Sequence, residues 1–177
     1  MRIHIQAVPL LLALTVGAGS PAAPANPQRK EYLSEAEADK IRDAGAAGPR
    51  IQQFTIFAED RLRKIRYELD HIDPADTRRF ERVNALLNGY IGCVDDAADL
   101  VELGVEKQED IRNGVKEFAA KLKDFLPYLE QLAAGGPDRE AYKDNLTDAI
   151  EATRDAARDA ENAMKEMAPP PVRRRPA

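Results

Sequence analysis

The fold this sequence predicts is all-α: an up-down-up-down four-helix bundle with a short preceding N-terminal helix. Three observations lead there. Four segments repeat apolar residues at alternating steps of three and four, where strands would repeat every two. Ala, Glu, Asp, Arg and Leu dominate and tryptophan is absent, the composition of a helical bundle. The connections are short, and short connections between helices of similar length make neighbours antiparallel.

Residues 1–25 stand apart from that pattern. Met1-Arg2-Ile3-His4 leads into an apolar run over residues 7–16, followed by small residues and Ala23-Pro24-Ala25. This is the layout of a secretory signal peptide. A cut after Ala25 satisfies the small-x-small rule, with Ala22 and Ala18 as alternative sites. An uncleaved anchor would need roughly 20 apolar residues, and this run is shorter and interrupted by Pro9 and Gly17. No second long apolar run follows, so the expectation is an exported chain, periplasmic or secreted, with no integral membrane segment after signal removal. Losing Arg2 and no acid takes the formal net charge from -5 to -6. Cys93 is the only cysteine, so no intrachain disulfide forms and packing must supply stability.

Residues 26–33 read as an extended lead-in to a bundle domain over 34–168. Ser34-Glu35-Ala36-Glu37 is a capping box that opens the front helix, which should end near Gly45. Pro49 suits the first turn of the next helix, where its missing N–H costs nothing. The first long segment carries Ile51, Phe54, Ala58, Leu62, Ile65, Leu69 and Ile72, and Asp73-Pro74 breaks it. The second, from about Asp76, carries Phe80, Val83, Leu87, Tyr90, Val94, Ala97 and Val101, flanked by Leu86, Cys93 and Leu100. The third runs through Ile111, Val115, Phe118, Leu122, Phe125, Leu129 and Leu132 to the break at Gly135-Gly136-Pro137. The fourth has Tyr142, Leu146, Ala149, Thr153, Ala156, Ala160, Ala163 and Met167. Ala168-Pro169 ends it, and the Pro/Arg-rich tail 169–177 is expected to be extended and disordered.

The heptad phase of the second segment continues through Gly104 and Gln108, so one helix over 76–132 is the alternative to two. A glycine and a glutamine in the core are poor packing, and helices of that length are uncommon in globular domains. Asn88-Gly89 and Asn113-Gly114 are read as solvent-side helix positions, and Pro127 as an outward-facing kink. In the expected topology, bulky Phe54 and Phe57 face the alanine-rich stretch 156–163 of the adjacent fourth helix, and large against small leaves no voids. Ile56 falls on the outer face, where Leu33, Ala36 and Ile41 of the front helix would cover it.

Chemistry-bearing motifs are sparse. Glu68-x-x-His71 has the spacing of a di-iron ligand pair, but the only other histidine is His4, within the signal segment. A terminal histidine favoured by the helix dipole is the simpler reading. Met164 and Met167 read as core filler. Cys93, in a row with Leu86 and Leu100, reads as a buried small apolar side chain. No phosphate loop or nucleophile elbow occurs. The carboxylates Asp144, Asp148, Glu151, Asp155 and Asp159 are interleaved with Arg154 and Arg158, which is an ion-paired surface rather than a cation site. Neither a catalytic constellation nor a cofactor motif emerges.

Charge is unevenly distributed along the bundle. Arg61, Arg63, Lys64 and Arg66 approach one end and Arg78, Arg79 and Arg82 leave the same end; Asp95, Asp96, Asp99, Glu102, Glu106, Glu109 and Asp110 crowd the other. Clustered arginines grip phosphate or carboxylate bidentately, which suits an anionic envelope component or an acidic protein partner. The opposing reading is local neutralisation by Glu59, Asp60, Glu68, Asp70 and Glu81. An acidic exported chain argues against nucleic acid.

At Ser34-Glu35-Ala36-Glu37-Ala38-Asp39-Lys40-Ile41-Arg42 and at Arg50-Ile51-Gln52-Gln53-Phe54-Thr55-Ile56-Phe57-Ala58-Glu59-Asp60-Arg61-Leu62, the chain resembles a group of uncharacterised exported helical proteins from acidobacteria. The resemblance implies a bacterial envelope location and carries no function. The residues point to a non-catalytic binding or scaffolding bundle of the envelope, the alternative being a periplasmic sensor or carrier that binds a metal ion or small anionic ligand.

Overall fold

A computed structural model describes residues 32–73, 75–135 and 138–167; the predicted signal segment, most of the lead-in and the tail lie outside them. Every regular element among the described residues is helical: α1 (Glu35–Asp43), α2 (Ala47–Asp70), α3 (Arg79–Glu106), α4 (Arg112–Ala134), a single 3-10 turn (Arg139–Ala141) and α5 (Lys143–Glu166).

Local chemistry sets the boundaries. Ser34 and Glu37 form the expected capping box, and α1 stops at Gly45, whose φ of 68° lies in the left-handed region open to glycine. Pro49 sits in the first turn of α2. Chain 76–132 is two helices. The end of α3 is sealed by Gln108 N–H to Val105 C=O at 3.1 Å and Glu109 N–H to Gly104 C=O at 2.9 Å, with Gln108 at φ 55°. That is a Schellman turn with glutamine in the place glycine usually takes. The heptad phase is therefore cut by backbone geometry that periodicity does not report.

Most of the predicted stripe positions become the core; Ile72, beyond the end of α2 at Asp70, is instead 63% exposed. Ile51, Ala58, Ile65, Val83, Leu87, Tyr90, Val94, Ala97, Val115, Phe118, Leu122, Leu129 and Ala149 are all fully buried. Thr153 is buried too; its hydroxyl donates to the Ala149 carbonyl at 2.6 Å and shares a 2.7 Å hydrogen bond with Tyr90 Oη. A satisfied polar pair of this kind costs the core little. Pro127 is exposed, and α4 runs through it.

The helices neighbour one another differently from expectation. α2 packs beside α3 and α4, and α5 beside α3 and α4, so α2 and α5 lie across the core from each other, as do α3 and α4. Gln52 bonds Glu117 and Lys121 pairs with Glu59, which sets α2 and α4 running the same way. Phe54 and Phe57 are buried, yet their helix is not the lateral neighbour of the alanine-rich stretch. Two close approaches accompany this arrangement. A Cβ on Gly114 would lie 2.6 Å from the Gly48 carbonyl oxygen, and one on Gly104 would lie 2.7 Å from the Ile111 side chain. The first lies between α2 and α4, the second between the end of α3 and the start of α4.

Two further expectations change. Gly89 and Gly114 are buried, while Asn88 and Asn113 beside them are exposed. Ile56 remains 48% exposed because Ala36 faces solvent and α1 lies elsewhere, its Ile41 turned inward.

Candidate functional site

α2 and α3 run antiparallel, with Glu68 bonded to Arg82 and the Arg61 side chain against Gly89. On their outer side they leave a groove of about 640 Å³. Tyr67, Ala85 and Leu86 supply its apolar surface, and Arg63, Lys64 and Arg82 stand around it with Asp60 and Glu68. Long basic side chains cover apolar ground with their methylenes while holding the charge in water. Tyr67 is 62% exposed, stacked on His71 with ring centroids 4.1 Å apart. His71 caps the end of α2, its Nδ1 3.0 Å from the Tyr67 carbonyl oxygen. Glu68, its partner in the di-iron spacing, is taken by Arg82 instead.

The seven predicted cations divide into two sets. Arg63 Nη2 lies 2.7 Å and Lys64 Nζ 2.6 Å from the two oxygens of Asp60. Burial would raise the Asp60 carboxyl, but the hydrogen bonds from Lys64 and Arg63 prevail and hold it below its usual range. Arg82 grips Glu68 bidentately, at 2.9 and 2.6 Å, and also bonds Asp76. Those bonds lower both carboxyls and raise the guanidinium. Arg66 lies over the Tyr128 ring at 4.6 Å. Arg78 pairs with Glu81 at 3.2 Å, both largely exposed. For Arg63, Lys64, Arg66 and Arg82, these partners amount to three carboxylates and a ring.

Arg79 and Arg61 turn inward. Arg79 is buried, 2.8 Å from Asp138 and 4.5 Å from the Phe80 ring centroid, and its Nη1 has no hydrogen-bond partner among the described residues. Arg61, next in sequence to Asp60 of the groove, is 6% exposed. Its Nη1 and Nη2 lie 2.5 and 2.8 Å from the two Glu37 oxygens, and Nη2 is 3.1 Å from the Tyr32 carbonyl oxygen. Those Arg61 bonds, opposed by burial and aided by Ser34, hold the Glu37 carboxyl down at about 2.

Tyr32 completes this clasp. A Cβ on Gly92 would lie 2.6 Å from the Tyr32 ring, so glycine makes the cradle in which the ring rests. The Tyr32 hydroxyl donates to Asp96, and burial together with that carboxylate pushes its pKa well up. Cys93, next along, is fully buried, and burial pushes its thiol up to about 12. Its predicted structural role fits that setting.

Sequence reasoning named the cations but not the groove or the clasp. Tyr67 lies outside the α2 core stripe, which was a usable signal. Glu37 already had a role in the capping box, which hid its second one, and Tyr32 carried no signal. No family model, curated protein or solved structure matches the chain. Among the described residues, no group of three or more His, Cys, Asp or Glu is placed to hold a metal ion, and no helix is long and apolar enough to cross a membrane.

Proposed function

We propose that the chain is an exported, non-catalytic binding protein, an up-down-up-down four-helix bundle that docks an acidic protein segment in the α2/α3 groove. The observation that carries this reading is the groove itself: an exposed tyrosine and a leucine bounded by two arginines and a lysine. Tyrosine and arginine are the residues enriched where interfaces concentrate their energy. Arg63 and Lys64 share one carboxylate, so an incoming carboxylate has a cation to engage without stripping Asp60 of both partners. Export rests on residues 1–25, whose order is that of a signal peptide.

The test is retention of the protein on its own envelope fraction, compared between the wild type, Tyr67→Ala with Leu86→Ala, and Arg63→Gln with Arg82→Gln. The reading expects both double variants to lose retention, and the wild-type interaction to weaken with salt because exposed charges are screened beyond about 8–10 Å. Retention unchanged by either pair contradicts the groove. Retention lost on lipid extraction, and kept after protease treatment of the fraction, assigns the anion to a lipid and overturns the protein partner.

A further inference from the structure

The open α2/α3 groove adjoins a stretch of the same two helices, at Arg61 and Gly92, that other residues cover. Asp60 stands in the open groove and lies 3.5 Å from Arg61 Nη1 in the covered stretch, and Gly89 follows Leu86 by less than one helical turn. The cover is the chain's own residues 32–37: an aromatic ring on Gly92 and, five residues on, a carboxylate on Arg61. We propose that this segment is a ligand held in cis, and that the partner binds by displacing it, setting its own aromatic ring in the Gly92 cradle and its own carboxylate on Arg61. The proposal rests on the docking reading of the same groove, and it specifies the partner's chemistry.

The attachment of the segment is light enough for exchange. In α1 only Ile41 is buried, Leu33 is half-buried and Ala36 faces solvent. A three-residue link, Ala44-Gly45-Ala46, joins α1 to α2, with Gly45 at φ 68° and no atom within 4 Å of where its Cβ would be. The pair that holds the segment is also reversible. The Arg61 guanidinium bonds Glu37 and the Tyr32 carbonyl, so departure of residues 32–37 would uncover that end of the side chain. The bundle is then not left with a buried unpaired charge, which is the costly way to break an ion pair. Without the segment, Gly89, Gly92 and Arg61 would extend the groove beyond Leu86. Cys93 is the reporter: it is fully buried and directly follows Gly92, on which the Tyr32 ring rests.

The experiment uses the full chain and a synthetic peptide of residues 32–44. Under native conditions, Glu37→Gln should speed thiol labelling of Cys93 about tenfold or more, the loss expected for a hydrogen bond between charged groups, with the thermal midpoint of the bundle unchanged. Tyr32→Phe, which keeps the ring and loses only the bond to Asp96, should give a smaller acceleration. Adding the peptide should restore protection to the Glu37→Gln chain, and a peptide carrying Tyr32→Ala and Glu37→Gln should not. Labelling that rises only in step with loss of global stability overturns the proposal, as does a peptide that fails to protect. A partner crosslinked from Leu86 while Cys93 stays protected also overturns it, yet leaves the docking reading standing.

Discussion

Gln108→Gly should stabilise the protein, although it removes a side chain and adds no contact. Gln108 ends α3 at φ 55°, and it is the only non-glycine residue at positive φ among the described residues. For an L-residue that conformation costs about 1–2 kcal/mol, through the approach of Cβ to the following carbonyl oxygen. Glycine relieves that strain, but its greater freedom in the unfolded chain returns about 0.5–1 kcal/mol. The side chain is exposed, so no burial is lost, and the two sealing bonds are main-chain and persist. The net expectation is a gain of about 0.5–1 kcal/mol, or a rise in thermal midpoint of about 1–4 °C for a domain of this size. Urea unfolding at unchanged slope is the assay, because an altered slope would signal a change in compactness instead. A lowered midpoint would refute the argument and favour a chain that continues helically from α3 into α4.

Further outcomes follow from the same contacts. Gly114→Ala should cost about 1–3 kcal/mol in urea unfolding, since the new methyl meets a main-chain oxygen at 2.6 Å; Gly135→Ala, in open space, should leave the midpoint nearly unchanged. Cys93→Ala should cost little, whereas Cys93→Asp should cost several kcal/mol by burying a charge without a partner, and equal midpoints for the two would show the site to be wet. The Glu37 carboxyl is depressed to about 2 from a usual 4.5, so its contribution to clasp closure is fully present above pH 4.5 and lost as pH falls toward 2. Ring signals of Tyr32 in an NMR titration should move through that acid window in the wild type and stay flat there in Glu37→Gln.

The fold was legible where burial has a period. Apolar residues three and four apart report which face of each helix is inside, and Val83, Leu87, Tyr90, Val94, Ala97 and Val101 are buried as that rule requires. Period does not report which helix lies beside which. Gly48 lies against Gly114 in the α2–α4 contact, a pairing of residues far apart in sequence that only a distance reveals. The break at Gln108 was obscured because glutamine took a glycine position. The candidate site was legible as charge and illegible as geometry. Arg61 and Arg63 are both cations two residues apart on α2, yet one points under residues 32–37 and the other to solvent. Only packing distinguishes them.

Site-resolved photocrosslinking tests the central claim most directly. A photoreactive residue is placed at Leu86 in the groove or at Asp148 on the exposed face of α5, and the native protein is irradiated in the cell. The account predicts a covalent adduct to an acidic protein segment from position 86, diminished by Arg63→Gln with Arg82→Gln, and none from position 148. Equal adducts from both positions, or an adduct from position 148 alone, would contradict it.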